Sequence, residues 1–195
     1  MNIPCKIILA SSSVYRKALL ARLQLPFECI SPDIDESPLP GESAENLVVR
    51  LARCKAEHIA KSRRNSLIIG SDQVASLGKQ ILNKPGNREN AQKQLKLLRG
   101  NTVSFLTGLC LINSANGNCQ TELVSYQVSF RHYNDEEIER YLDIDTPYDC
   151  AGSFKSEQMG VSLMSKMQGE DPTALIGLPL IKLAELLRRE GLNIP

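Results

Sequence analysis

Leu67-Ile68-Ile69-Gly70-Ser71-Asp72-Gln73-Val74 reads as an apolar run that stops at a glycine and then presents a carboxylate. The run predicts a short buried strand over 67–69, with Asp72 mounted at its end. A hairpin over 74–82, turning at Gly78, is expected next, and Asn83-Lys84-Pro85 brings a cation close behind. An acid on a strand end is rigidly held and can be aimed at water or at a metal. A second apolar run, Ile7-Ile8-Leu9-Ala10, leads into Ser11-Ser12-Ser13-Val14-Tyr15-Arg16-Lys17. One strand end is anionic and the other is hydroxyl-rich and cationic. Together they have the chemistry of two facing halves of a phosphate site.

Working outward, the pattern predicts a strand over 6–10, a helix over 14–23 with Ala18, Leu19, Leu20 and Leu23 on its apolar face, and a strand over 27–31. A loop rich in proline and acid follows, Pro32-Asp33-Ile34-Asp35-Glu36-Ser37-Pro38-Leu39-Pro40. Helices are expected over 43–62 and 88–98, the second stopped at Gly100. Strands over 102–112 and 119–131 flank Asn116-Gly117, a hairpin signal. Further expectations are a helix over 135–141 capped by Asn134, a strand over 161–164, and a helix from Pro179 to about residue 190, stopped by Gly191. Helices separate the early strands and a long hairpin comes later. That order predicts an α/β fold with a twisted mixed sheet, read as one unit over 1–195 with a cleft between two lobes.

The bulk properties set limits. A chain of 195 residues can bury a full core without a metal or disulfide staple. Its formal net charge is +1, so no bulk attraction to nucleic acid is expected, and bound anions must be held by locally placed cations. The six cysteines include no C-x-x-C pair and match no zinc spacing; reduced, mostly buried thiols in a cytoplasmic protein are expected. There is no charged leader ahead of an apolar stretch and no apolar run near the ~20 residues that span a bilayer, so no membrane partner is expected. His58 and His132 lack metal-ligand spacing. No phosphate-binding P-loop and no nucleophile elbow is present.

Ser11, Ser12 and Ser13 stand where a strand passes into a helix, whose first N–H groups and dipole favour phosphate. Arg16 and Lys17 can reach the same anion, Arg with a two-pronged grip and Lys as a point charge. Asp33, Asp35, Glu36 and Asp72 are oxygen donors of the kind that suit magnesium or manganese. Lys55 and Lys84 gain meaning only if the fold gathers them around one phosphate chain. The same residues also read as a serine cap, a solvated turn and surface lysines.

Taken in order, Leu9-Ala10-Ser11-Ser12-Ser13 with Arg16-Lys17, Asp33-Ile34-Asp35-Glu36, Lys55, Gly70-Ser71-Asp72-Gln73-Val74, Lys84-Pro85, Thr107-Gly108 and Gly177-Leu178-Pro179-Leu180 resemble the Maf family of nucleotide pyrophosphatases over essentially the whole chain. Gln73 and the segment Cys150-Ala151-Gly152-Ser153-Phe154-Lys155-Ser156-Glu157 resemble the branch directed to 7-methyl-GTP. Lys17 stands where a second arginine is usual, and Tyr15 where that branch often has tryptophan.

The resemblance implies an inosine-triphosphatase-like sheet flanked by helices with a deep cleft. It implies metal-dependent cleavage of a nucleoside triphosphate between its α- and β-phosphates. Asp72 would be the proton acceptor, Ser11, Ser13, Arg16, Lys17, Lys55 and Lys84 would hold phosphate, and Glu36 with Asp72 would hold the divalent cation. Tyr15, Gln73 and Glu157 would choose the base, Tyr15 by offering a ring face to a cationic methylguanine and Glu157 by accepting guanine N–H donors. Broader action on ITP, XTP, UTP or dTTP is the neighbouring expectation. A nucleotide-binding regulator of cell division is the one from another class. A homodimer is left open.

Overall fold

The computed structural model describes residues 5–195, so the first four residues of the expected 1–195 unit lie outside it. The order is β1 (Lys6–Leu9), α1 (Val14–Ala21), β2 (Phe27–Cys29), α2 (Ala44–Ala60), β3 (Ser66–Leu77), β4 (Gln80–Leu82), α3 (Arg88–Leu98), β5 (Thr102–Asn113), β6 (Asn118–Phe130), α4 (Asp135–Asp145), β7 (Met164–Gly169) and α5 (Leu180–Arg189). Short 3-10 turns lie at Ala151–Ser153, Met159–Leu163 and Ala174–Ile176.

The expected strand end at Asp72 is corrected: β3 runs unbroken through Gly70 and Asp72. It is held by β5, which pairs antiparallel with it from Leu67 to Ser76. The opposite edge of β3 is shared. β1 pairs parallel with Ser66 to Ile69, and β4 pairs antiparallel with Ala75 to Leu77. From Gly70 to Val74 that edge has no ladder partner among the described residues, so the sheet is split there. Asp72 therefore sits at the end of its neighbour β1, not at the end of its own strand. The full order is β2-β1-β3-β5-β6-β7, with β4 on the split edge of β3.

Side chains alternate across the two faces. Ile7, Leu9, Leu67, Ile69, Leu109 and Leu111 pack with Leu19 and Leu20 of α1 and Leu183, Leu186 and Leu187 of α5. Farther along the same face, Val103, Phe105, Tyr126 and Val128 meet α3 and α4, forming the second lobe. The other face carries Ile8, Ile68, Cys110, Val74 and Leu106 against α2.

Two strand glycines let α2 lie almost on the sheet. A Cβ on Gly70 would stand 2.0 Å from the Ala52 carbonyl oxygen, and one on Gly108 2.1 Å from that of Val48. Gly70 and Gly108 thus mark a close backbone approach rather than a turn.

Smaller expectations also move. The strand placed at 161–164 lies at Met164–Gly169, and Met159–Leu163 is a 3-10 turn. Helix α4 extends to Asp145, four residues past the expected end, and closes on Thr146 in the left-handed region. Ala18 is exposed. Among the cysteines only Cys110 is buried; Cys29 and Cys119 are exposed, which corrects the expectation of mostly buried thiols.

Candidate active site

The split edge of β3 is the floor of a cleft of about 770 Å³. Its walls are the serine loop after β1, the acidic loop after β2, the side of α2, and Asn83-Lys84 after β4. Because α2 lies so low, Lys55 reaches Asp72 from above. Lys55 Nζ donates to Asp72 Oδ1 at 2.6 Å and stands 2.8 Å from Glu36 Oε1. The lysine and aspartate side chains are only 6% and 10% exposed, whereas Glu36 is 56% exposed. The acid that the sequence placed in a loop and the acid it placed on a strand thus meet on one buried ammonium.

Across the floor, Ser11 Oγ accepts from Ser13 N–H, and Ser13 Oγ caps α1 by accepting from Arg16 N–H. The serine-cap reading is therefore correct. The Arg16 Nε donates to the Gly177 carbonyl at 2.9 Å, which leaves the terminal nitrogens of its fork available. Burial pulls the guanidinium below the usual arginine value, while Asp72 and then Glu36 push it back up. Lys84 is exposed on the cleft wall. Lys17 is exposed and does not line the cleft, so the structure does not bring it to the other candidate phosphate ligands.

A smaller cavity of about 80 Å³ opens from the cleft, with room for the edge of a ring rather than a whole nucleotide. Tyr15, Gln73 and Glu157 all line it. Gln73 points to the face of β3 opposite Asp72. Its Nε2 donates to Thr107 Oγ1, the Ala174 carbonyl and the Leu175 carbonyl. Carbonyls cannot donate, so the amide is fixed one way round and its oxygen is the group left for the cavity. Glu157 is exposed at the rim. Lys155 Nζ stands 6.0 Å from the Tyr15 ring centroid, so a cationic base stacking on Tyr15 has to take the opposite face. The Tyr15 phenol is raised above its usual value, first by burial and then by Cys150 and Asp149.

The donor set fits a divalent cation of the magnesium type. Among the described residues no three acid, histidine or cysteine side chains gather as a closed metal cage. Magnesium commonly takes one or two carboxylates and completes its shell with waters and substrate phosphates. Glu36 and Asp72 match that, since Lys55 occupies only one oxygen of each.

Three features escaped the sequence. Arg50 clamps Glu42 with two contacts, Nε to Oε1 at 2.6 Å and Nη2 to Oε2 at 2.8 Å, and also donates to the Ser37 carbonyl. This ties down the loop that carries Glu36. Gln94 joins the Lys84 loop to the far wall: its Nε2 donates to the Asn83 carbonyl and its Oε1 accepts from Ser153 Oγ. Asp149 lines both the cleft and the side cavity. The Arg50 and Gln94 pairings each tie down a loop whose path no local pattern encodes. The only available hint was an acid standing next to Cys150-Ala151-Gly152.

Among the described residues no helix is long and apolar enough to cross a membrane. The chain matches the model of the family described as Maf-like protein over residues 6–190. A Pseudomonas syringae pv. tomato protein named 7-methyl-GTP pyrophosphatase is 56% identical over 189 residues, covering 97% of this chain and 98% of the relative. A Nitrosococcus oceani protein of the same name is 52% identical over 195 residues, covering 98% of each. Of solved structures, the Staphylococcus aureus Ham1 protein is similar at 18% identity and a TM-score of 0.46, over 64% of this chain and 71% of that one. The family match spans β1 to the end of α5 and takes in every wall of the cleft, and on it this chain belongs to the Maf family.

Proposed function

We propose that this protein is a nucleoside triphosphate pyrophosphatase that converts 7-methyl-GTP and water to 7-methyl-GMP and pyrophosphate. The observation that carries the reading is the convergence of Lys55, Asp72, Glu36, Arg16 and Lys84 on one cleft, in a chain more than half identical to proteins named for that activity.

The chemistry follows from the residue types. A triphosphate brings about four negative charges that repel an incoming nucleophile. Arg16 and Lys84 hold phosphate oxygens from two walls of the cleft. Lys55 pins Asp72 Oδ1 and leaves the two lone pairs of Oδ2 for water and for the divalent cation. Asp72 takes a proton from that water as its oxygen bonds to the α-phosphorus. The bond from the α-phosphorus to the bridging oxygen breaks, and pyrophosphate leaves with that oxygen. A divalent cation, when held by Glu36 and Asp72, neutralises phosphate charge and lowers the pKa of bound water.

At the base end, Gln73 Oε1 and the Glu157 carboxylate are both acceptors. Guanine offers N1–H and N2–H donors, whereas uracil and thymine offer a single N–H between two carbonyls. That favours guanine, and the negative Glu157 favours the positively charged methylated ring. The cytoplasm, where nucleotide pools are made and used, is the proposed place of action.

Pyrophosphate release is measured over 7-methyl-GTP, GTP, ITP, XTP, UTP and dTTP, with and without magnesium. The expected result is magnesium-dependent release that is fastest with 7-methyl-GTP. Equal rates across the panel point to a broad enzyme. No release from any triphosphate sinks the reading.

A further inference from the structure

We propose that Asp149 is a ribose-binding residue, its carboxylate accepting a sugar hydroxyl of the bound nucleotide at the junction of the cleft and the side cavity. The proposal rests on the nucleotide reading above. A nucleoside triphosphate is ordered phosphates, sugar, base. With the phosphates beside Arg16, Lys84 and Asp72 and the base edge beside Glu157, the sugar must cross the wall that the two spaces share. Of the described residues lining both spaces, Asp149 alone carries a carboxylate.

Its surroundings fix its direction. Asp149 Oδ1 accepts from Tyr15 Oη at 3.4 Å and from Cys150 Sγ at 3.5 Å. Burial pushes the Cys150 thiol up to about 12, so it faces Asp149 as an S–H donor. These two long contacts turn Oδ1 toward the wall. Oδ2 has no hydrogen-bond partner in the protein among the described residues, and Asp149 forms no ion pair there although Arg16 and Lys84 line the same spaces. An exposed carboxylate left unpaired among cations is suited to donors that the ligand brings. Ribose 2′- and 3′-hydroxyls are such donors, and a hydrogen bond to a charged acceptor is among the stronger neutral-to-ion contacts.

The test compares 7-methyl-GTP with its 2′-deoxy and 3′-deoxy forms on the wild type and on Asp149→Asn. The wild type is expected to lose about tenfold or more in kcat/KM on at least one deoxy form. In Asp149→Asn that penalty shrinks to less than about threefold, because the partner of the missing hydroxyl is already weakened. If the variant turns over too slowly, equilibrium binding of 7-methyl-GMP and its two deoxy forms gives the same comparison without catalysis. A deoxy penalty that is absent in the wild type, or unchanged in the variant, overturns the proposal. So does a variant whose only change is a lower ratio of 7-methyl-GTP to GTP, which would assign Asp149 to the charged base. A wild type that releases pyrophosphate from no triphosphate defeats the underlying functional reading instead, and the two failures are thereby told apart.

Discussion

Arg50 and Lys55 lie five residues apart on α2, and both reach acids of the loop after β2, yet they do opposite things. Arg50 spends its fork on Glu42 and on the Ser37 carbonyl, and Glu42 also accepts from Leu39 N–H. Both oxygens of Glu42 and two of the three nitrogens of Arg50 have protein partners. Lys55 instead stands between two carboxylates, each with an oxygen to spare and each facing the cleft. Charge paired within the protein holds structure together. Buried charge left under-satisfied beside a concave surface is a site waiting for a ligand.

The largest test of that contrast is Asp72→Asn. The substitution keeps shape and removes the proposed proton acceptor, and Glu36 still neutralises Lys55. A loss in kcat of at least about a hundredfold is expected, with a melting temperature within about 5 °C of the wild type. Pyrophosphate release and thermal unfolding on one preparation check both halves. A variant that keeps most of its activity would demote Asp72 to a packing residue.

Gly70→Ala breaks the contrast by another route. The added Cβ meets the Ala52 carbonyl oxygen at 2.0 Å, and backbone cannot swing aside as a side chain can. Helix α2 must lift, drawing Lys55 away from Asp72. The expected cost is about 1–3 kcal/mol of stability, together with a drop in kcat/KM of more than about tenfold. Urea unfolding and turnover assays measure the two. Loss of stability with full activity would show that α2 need not lie flush for the site to work.

Gly70 also explains how much of the fold the sequence made legible. The strands, the helices and the long hairpin came from periodicity and turn chemistry, which are local. The reading that β3 ended at Gly70 failed because the reason for that glycine is a helix 18 residues earlier in the chain, pressed against it by tertiary packing. Asp72, Glu36, Lys55, Arg16 and Lys84 were nameable as residue types with the right chemistry. Their meeting point was not, since it depends on β1 and β4 sharing one edge of β3 with a gap between them. Lys17 is exposed and off the cleft wall for a local reason: it follows Arg16 on α1, and successive helix residues face different directions.

At the base end the effect is expected to be smaller and of a different kind. Glu157→Gln leaves the Lys55 cluster intact and exchanges an acceptor for a group that is half donor. The kcat/KM ratio of 7-methyl-GTP to UTP should fall by about tenfold, with the absolute rate on the better substrate falling less. Unchanged ratios across the nucleotide panel would remove Glu157 from base selection.

The smallest effect is expected at Glu42, where the structural half of the contrast can be isolated. The side-chain hydrogen bonds from Arg50, the largest influence, hold the Glu42 carboxyl at about 2, and Glu42 in turn raises the Arg50 guanidinium. A glutamate in the unfolded chain titrates near about 4.3. A depressed acid gives its stabilisation in full above the unfolded value and loses it as pH falls through the folded one. The clamp on residues 37–42 should therefore persist at pH 5 and slacken as pH approaches about 2. Hydrogen exchange of the backbone amides of that loop reads this directly. Glu42→Gln should already show the slackened loop at neutral pH, with KM raised by less than about tenfold and kcat nearly kept. Such a split would mean that the clamp serves Glu36 by restricting where its loop can go. Equal loss in kcat and in kcat/KM would instead mean that Arg50 and Glu42 act on the transition state, and the division of labour along α2 would have to be redrawn.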